Sequence, residues 1–350
     1  MLKPLNSVAA CLLAGSALAQ DAGGIVHDAE YYVLERQHAE QWAIDDAEVD
    51  AKLADLRAAN GGKPPNILYI LIDDIGFGEI GTPYLNYVRG YETPNINDFA
   101  EDGLRMMRMY TEPSCTPTRV AFMTGRQPYR LGMAKTSVAM DGFGMADEEV
   151  TLAEVLKAEG YNTSHVGKWH IGDIAESFPH NQGFDFAAFP VHQQAQLALF
   201  SRDTHESNQT IGADYTQFDD RWVLDRSFRP SPGDMVTGLE ARAGETAVEV
   251  DLAPGEPWTQ AKYLEMNERY QRQVLVQLDG LVAQDKPFFL QYWPLLPLTF
   301  TRDDVDQFTT PNGGFQTESM QKVDRWIGDI LARLEESGKA DNTIVIIMGD

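Results

Sequence analysis

Two apolar runs, each broken off by a carboxylate, set the tightest limit on what this chain can fold into. Ile67-Leu68-Tyr69-Ile70-Leu71-Ile72 stops at Asp73-Asp74, and Thr343-Ile344-Val345-Ile346-Ile347-Met348 stops at Gly349-Asp350. Neither run alternates polar and apolar residues. Each therefore suits a strand buried on both faces, as in a parallel sheet covered by helices. Residues 161–166 and 287–293 read as two further strands. Between the strands lie helical patterns. Thr93-Pro94-Asn95-Ile96 opens a helix that runs to Gly103. Thr151-Leu152-Ala153-Glu154 is a capping box for a helix ending at Gly160. Met266, Tyr270, Val274, Leu278 and Leu281 share one face of a helix over 263–281. Met320, Val323, Trp326, Ile327, Ile330, Leu331 and Leu334 do so on another, which ends near Gly338. The class is α/β, and 350 residues suffice for one large domain or two smaller ones.

Adjacent carboxylates at the end of a buried strand repel each other and are costly to keep ionised unless something neutralises them. Asp73-Asp74 is then either a solvated turn or part of a metal site. Hard oxygen donors without a His or Cys cluster suit Ca2+ or Mg2+ better than zinc. Parallel sheets gather their ligands at the carboxyl ends of strands, so Asp73, Asp74, Asp350 and Lys168 are expected to converge. Lys168 and His170 lie two apart in Gly167-Lys168-Trp169-His170-Ile171-Gly172, and in an extended segment they would point to the same side.

The chain has two cysteines, of which Cys11 lies in an apparent leader. Cys115 stands two residues before Pro117, a residue suited to the first turn of a helix. Cys115 would sit at the mouth of that helix, where free N–H groups and the dipole favour negative charge. Arg119, one turn on, points back toward it. A lone cysteine can equally be a small buried hydrophobe.

Cys115-Thr116-Pro117-Thr118-Arg119, with Thr124-Gly125-Arg126 after it, resembles the signature of the sulfatase family within the alkaline-phosphatase superfamily. Other family motifs occur at matching places: Asn66 through Asp73-Asp74 and Gly76, Thr93-Pro94-Asn95, the Gly167 to Gly172 segment, and Asn181-Gln182-Gly183-Phe184-Asp185. The resemblance covers residues from about 65 to 350. It implies an alkaline-phosphatase-like fold, with a large mixed, mostly parallel sheet sandwiched between helices. It implies hydrolysis of a small-molecule or glycan sulfate ester. Cys115 would be oxidised to formylglycine by a maturation enzyme. Asp73, Asp74, Asp350 and the modified residue 115 would hold Ca2+, with Mg2+ second. Lys168 would bind sulfate oxygens, Arg119 would stabilise developing charge, and His170 would handle a proton on the formylglycine hydroxyl. In the family an Asn and a later Lys follow the acid matched by Asp350. The expectation is therefore a catalytic domain truncated at its C-terminal end. Much of the family has Pro-His-x-Pro after the third strand, where this chain has Pro297-Leu298-Thr299-Phe300. Leu298 cannot donate a proton, so His192, Arg302 or a residue further on would have to serve. Two alternatives stand beside the sulfatase reading: a phosphomonoester or phosphonate hydrolase of the same superfamily, and a non-catalytic binder of sulfated glycans.

The net charge of -25 argues against nucleic acid as a partner. Any anionic substrate must be attracted locally, by a metal and a few cations. Residues 1–19 read as a secretory signal: Lys3, an apolar stretch from Val8 to Leu18, and Ala17-Leu18-Ala19 as the cleavage site. The expectation is export to the periplasm or beyond the cell, with no membrane anchor after cleavage. With one cysteine left, no internal disulfide can form. Residues 20–63 read as a helical N-terminal extension of one or two surface helices, closed by Asn60-Gly61-Gly62 and Pro64-Pro65, and 64–350 as the catalytic domain. Residues 191–260, with His192 and His205, show no periodicity. Segments of that kind often line a substrate cleft.

Overall fold

The computed structural model describes residues 29–59, 61–136, 142–190, 238–251, 260–296 and 315–350. The chain divides into two compact units, with the boundary between Lys63 and Pro64. In the first, α1 is one continuous helix, Ala29–Ala59, with no buried residue. Its apolar residues, such as Leu34, Ile44 and Leu53, are exposed and form no single stripe. Pairs four residues apart support it locally: Gln41 donates to Asp45 at 2.8 Å and Lys52 to Glu48 at 2.7 Å. Such pairs contribute a few tenths of a kcal/mol each. The leader read at residues 1–19 lies outside the described residues.

The second unit contains β1 (Asn66–Ile72), α2 (Pro83–Arg89), α3 (Pro94–Asp102), α4 (Cys115–Thr124), α5 (Leu152–Ala158), β2 (Asn162–Gly167) and β3 (Phe186–Pro190). After these come β4 (Gly238–Arg242), β5 (Val248–Glu249), α6 (Gln260–Val282), β6 (Phe288–Trp293), α7 (Phe315–Glu336) and β7 (Thr343–Gly349). They build one sheet in the order β5-β4-β3-β2-β6-β1-β7. Five neighbouring strands, β3, β2, β6, β1 and β7, pair in parallel. β4 and β5 are antiparallel additions at the other edge. The sheet is thus mixed and mostly parallel.

The unbroken apolar run of β1 follows from its place in that order. Leu68, Ile70 and Ile72 enter one core, packed with Met266, Tyr270 and Val274 of α6 and Val323, Ile327 and Ile330 of α7. Tyr69 and Leu71 enter a second core on the other face, with Val120 and Met123 of α4 and Ala153 of α5. Each fully buried side chain of this size contributes about 1.5–3 kcal/mol relative to exposure. The capping box that starts α5 forms as read: Glu154 N donates to Thr151 Oγ1 at 3.2 Å, and Thr151 N to Glu154 Oε2 at 2.7 Å.

Two readings need correction. β7 was expected to be buried on both faces, but it ends the described sheet and leaves Ile344 and Ile346 exposed. Within the stretch read as irregular, residues 238–242 form β4, too short and too polar to show a period. Residues 191–237 and 297–314, with His192, His205, Leu298 and Arg302, lie outside the described residues. Among the described residues, no helix is long and apolar enough to cross a membrane.

Candidate active site and metal centre

Four neighbouring strands, β2, β6, β1 and β7, end side by side, and each delivers a functional side chain at its carboxyl end. Asp73 and Asp74 follow β1, Asp350 follows β7, Lys168 follows β2, and Trp293 closes β6. Asp74 lies in the left-handed region, with φ 52. Backbone of that kind costs a non-glycine residue about 1–2 kcal/mol. Here it turns the Asp74 N–H onto Asp350 Oδ1 at 2.8 Å. Asp350 N in turn donates to Ile72 O at 3.3 Å. Gly349 permits this approach, because a Cβ there would lie 2.2 Å from Ile75 O.

Cys115 is the first residue of α4, with Ser114 as its N-cap. Its thiol lies 3.6 Å from Asp74 Oδ1. One ligand atom each from Asp73, Asp74, Cys115 and Asp350 lies within 4.8 Å of the others. Arg119, one turn into α4 and fully buried, donates to Asp73 Oδ1 at 2.9 Å and pairs with Asp350 Oδ2 at 2.6 Å. Its guanidinium rests 4.6 Å above the Trp293 ring. Lys168 Nζ, also fully buried, donates to Asp73 Oδ1. Lys168 N is held by Trp293 O at 2.8 Å.

Three carboxylates therefore face two cations, one formal negative charge in excess, with Asp73, Arg119 and Lys168 buried and Asp74 exposed. Burial pushes the Asp73 carboxyl above the ordinary carboxylate range and Asp350 adds repulsion, while Lys168 and Arg119 pull it down. Burial also disfavours ionised Asp350, but Arg119, Lys168 and the Asp74 N–H together hold its carboxyl below the usual range. Burial pushes the Cys115 thiol up to about 11, with Asp73 and Asp350 adding to the rise and Lys168 and Arg119 opposing it. At neutral pH this is a protonated thiol, a poor nucleophile and a poor metal ligand. The donor set otherwise fits a hard dication. Asp73 Oδ2 is buried and has no hydrogen-bond partner, an arrangement that costs free energy unless something polar meets the oxygen.

The structure gathers Asp73, Asp74, Cys115, Arg119, Lys168 and Asp350. His170 is buried two residues beyond Lys168. Contrary to the expectation from their spacing, Lys168 and His170 do not lie in one extended segment. β2 ends at Gly167, and His170 has φ 61, so the segment is not extended. Trp293 was missed. Its signal was an aromatic at the carboxyl end of a buried strand, which reads equally well as core.

A mostly parallel sheet between two cores, with acids, cations and a thiol at the ends of its central strands, defines an α/β protein of the alkaline-phosphatase-like fold. A family model described as Sulfatase matches residues 65–350, and the chain belongs to that family. Arylsulfatase A of Homo sapiens is 30% identical over 298 residues, covering 82% of this chain and 52% of the relative. N-acetylgalactosamine-6-sulfatase of Canis lupus familiaris is 30% identical over 312 residues, covering 85% and 52%. The crystal structure of the PsFucS1 sulfatase from Pseudoalteromonas sp. matches with a TM-score of 0.69 at 26% identity, covering 86% of this chain and 57% of that one. The chain spans about half the length of the curated relatives it matches.

Proposed function

We propose that this chain carries the catalytic core of an exported sulfate-ester hydrolase. The observation that carries the reading is Cys115, an oxidisable thiol 3.6 Å from Asp74 Oδ1, beside a buried Arg119 and Lys168. A formylglycine-generating maturation enzyme would convert Cys115 to the aldehyde. As its hydrate, that residue supplies one hydroxyl to attack sulfur and a second that allows sulfate to be released. Asp73, Asp74, Asp350 and the modified residue 115 would hold Ca2+, with Mg2+ second; when bound, such an ion lowers the pKa of an oxygen ligand and polarises sulfate oxygens.

The protein's own groups have separable roles. Arg119 and Lys168 are fixed cations whose charge is already in place before the substrate arrives. Their stabilisation of charge developing on sulfate costs little reorganisation. Trp293 packs under Arg119 and restricts where the guanidinium can point. With a dication added, the group of three carboxylates and two cations changes from net negative to net positive. That change reconciles a chain of charge -25 with an anionic substrate. His170 takes the proton of the second hydroxyl. The sequence of residues 1–19, with Lys3, an apolar stretch and Ala17-Leu18-Ala19, supports export to the periplasm or beyond the cell.

Rates on an aryl sulfate and the matching aryl phosphate test this, using protein produced with a formylglycine-generating enzyme. Sulfate release is expected to be the faster and to disappear in Cys115→Ser. Faster phosphate release would overturn the reading.

A further inference from the structure

At the opposite end of β2 from Lys168, roughly 20 Å along the strand, the amino ends of β2 and β3 open into a cleft of about 470 Å³. The C-terminal half of α6 and the segment leading to β6 form its other wall. Its size lies within the range of about 300–1,000 Å³ typical of ligand pockets.

The charge of this cleft is unlike that of the chain around it. Lys157, Arg242 and Lys286 line it against one carboxylate, Asp185, in a protein of net charge -25. Asp185 is already engaged within the protein. It accepts from Lys157 Nζ at 2.8 Å, Thr163 N at 3.0 Å and Thr163 Oγ1 at 3.2 Å. Among the described residues, neither Arg242 nor Lys286 has an ion-pair partner. Glu240, two residues before Arg242 on β4, is held by Arg269 at 2.7 Å. The Arg242 guanidinium lies 5.5 Å from the Phe186 ring centroid, which orients it. Three cations therefore line the cleft against one carboxylate; Lys157 is taken by Asp185, and Arg242 feels Glu240 through charge attraction without a direct ion pair.

The rest of the lining suits hydroxyl groups. Ser164 Oγ donates to Gln277 Oε1 at 3.2 Å, which leaves the Gln277 amide nitrogen to donate elsewhere. A second, exposed amide pair lies beside it: Asn162 Nδ2 donates to Gln284 Oε1 at 2.9 Å, and Gln284 Nε2 donates to Gly280 O at 2.9 Å. Phe186 and Leu281 add apolar surface. We infer that this cleft binds a sulfate group carried on a sugar, at a site separate from Cys115: Arg242 and Lys286 take the sulfate and the amides take the sugar hydroxyls. The choice of sulfate among oxyanions rests on the proposed sulfate-ester chemistry; the position and charge of the site do not.

Equilibrium titration of the full chain with a sulfated galactan oligosaccharide, its desulfated counterpart and sodium sulfate tests the inference. The variant is Arg242→Ala with Lys286→Ala; both side chains are exposed, and circular dichroism checks that the fold is kept. The double variant is expected to bind one equivalent fewer of the sulfated oligosaccharide, or to hold that equivalent about tenfold more weakly. Turnover of a small aryl sulfate is expected to stay unchanged. The desulfated oligosaccharide is expected not to fill the site. Identical stoichiometry and affinity in wild type and double variant would overturn the inference, as would sodium sulfate binding there as tightly as the oligosaccharide. Because binding is read without turnover, loss of one equivalent in the double variant would support the cleft whether or not the protein hydrolyses sulfate esters.

Discussion

The backbone N–H of Asp74 donates to the side chain of Asp350 at 2.8 Å, across 276 positions of sequence. This bond fastens the carboxyl end of β1 to that of β7. It sets two acids of the candidate metal centre in fixed relation before any ion is bound. It also explains why Asp74 keeps its left-handed backbone, which turns its N–H toward a carboxylate. The remaining charges are locked to the same frame: Arg119 reaches both Asp73 and Asp350, and Lys168 reaches Asp73.

Asp73→Ala leaves Arg119 and Lys168 buried with one counter-charge removed. Breaking a buried ion pair by deleting one partner costs about 3–5 kcal/mol. Urea denaturation is expected to show a loss of that size, with no Ca2+-dependent gain in stability. An unchanged midpoint would remove Asp73 from the centre of the charge network.

Removal of divalent ions is expected to lower the melting temperature, and added Ca2+ to restore it with a concentration dependence. Ligand that binds only the folded state stabilises by about 2.7 kcal/mol at a hundredfold excess over Kd. Mg2+ is expected to restore less. Identical melting with chelator and with Ca2+ would speak against the metal centre.

Gly167 has φ 109, and a Cβ there would lie 1.9 Å from Trp293 O, the carbonyl that holds Lys168 N. Gly167→Ala is expected to cost more than about 3 kcal/mol, from a backbone clash added to the left-handed strain. Gly338 also has positive φ, 68, but nothing within 4 Å of a Cβ. Gly338→Ala is expected to cost only the backbone term, about 1–2 kcal/mol. Equal losses in the two variants would show that the packing of Gly167 on β6 is looser than described.

His165 is buried between the Trp169, Phe184 and Trp293 rings, and burial pushes its pKa down to about 3, against hydrogen bonds to Gln291 and Gly167 that raise it. The folded pKa lies below the unfolded value of about 6.5. The unfolded chain therefore binds the proton better. The stability His165 contributes is full above about 6.5 and is lost as pH falls toward 3. Between about pH 6.5 and 5 the loss is expected to be roughly 1.5 kcal/mol. His165→Asn is expected to flatten that part of the profile; an identical slope in the variant would contradict the assignment.

Most of the sheet was legible because strands buried on both faces are rich in apolar residues, without a break in β1 and interrupted only by Gln291 in β6. Their carboxyl ends are then the natural place for ligands, and Asp73, Asp74 and Asp350 lie there. β4 and β5 were not legible: β5 is two residues long, and β4 carries Glu240 and Arg242 among its five. The burial of β7 was misread because an edge strand with exposed isoleucines has the same composition as a central one. The same limit applies to Lys168 and His170. A spacing of two implies a shared side only where the chain is extended, and nothing in Lys-Trp-His reveals that β2 ends one residue earlier. Trp293 could not be told from core, because its role under Arg119 depends on which strands are neighbours.

The state of residue 115 tests the proposed chemistry most directly. The protein, produced with a formylglycine-generating enzyme, is cut with trypsin and the peptide spanning 109–119 is weighed. The mass of the aldehyde at position 115 is expected, with the thiol form reduced to a minor species. An intact thiol throughout, in protein that nevertheless hydrolyses sulfate esters, would contradict the role given to Cys115.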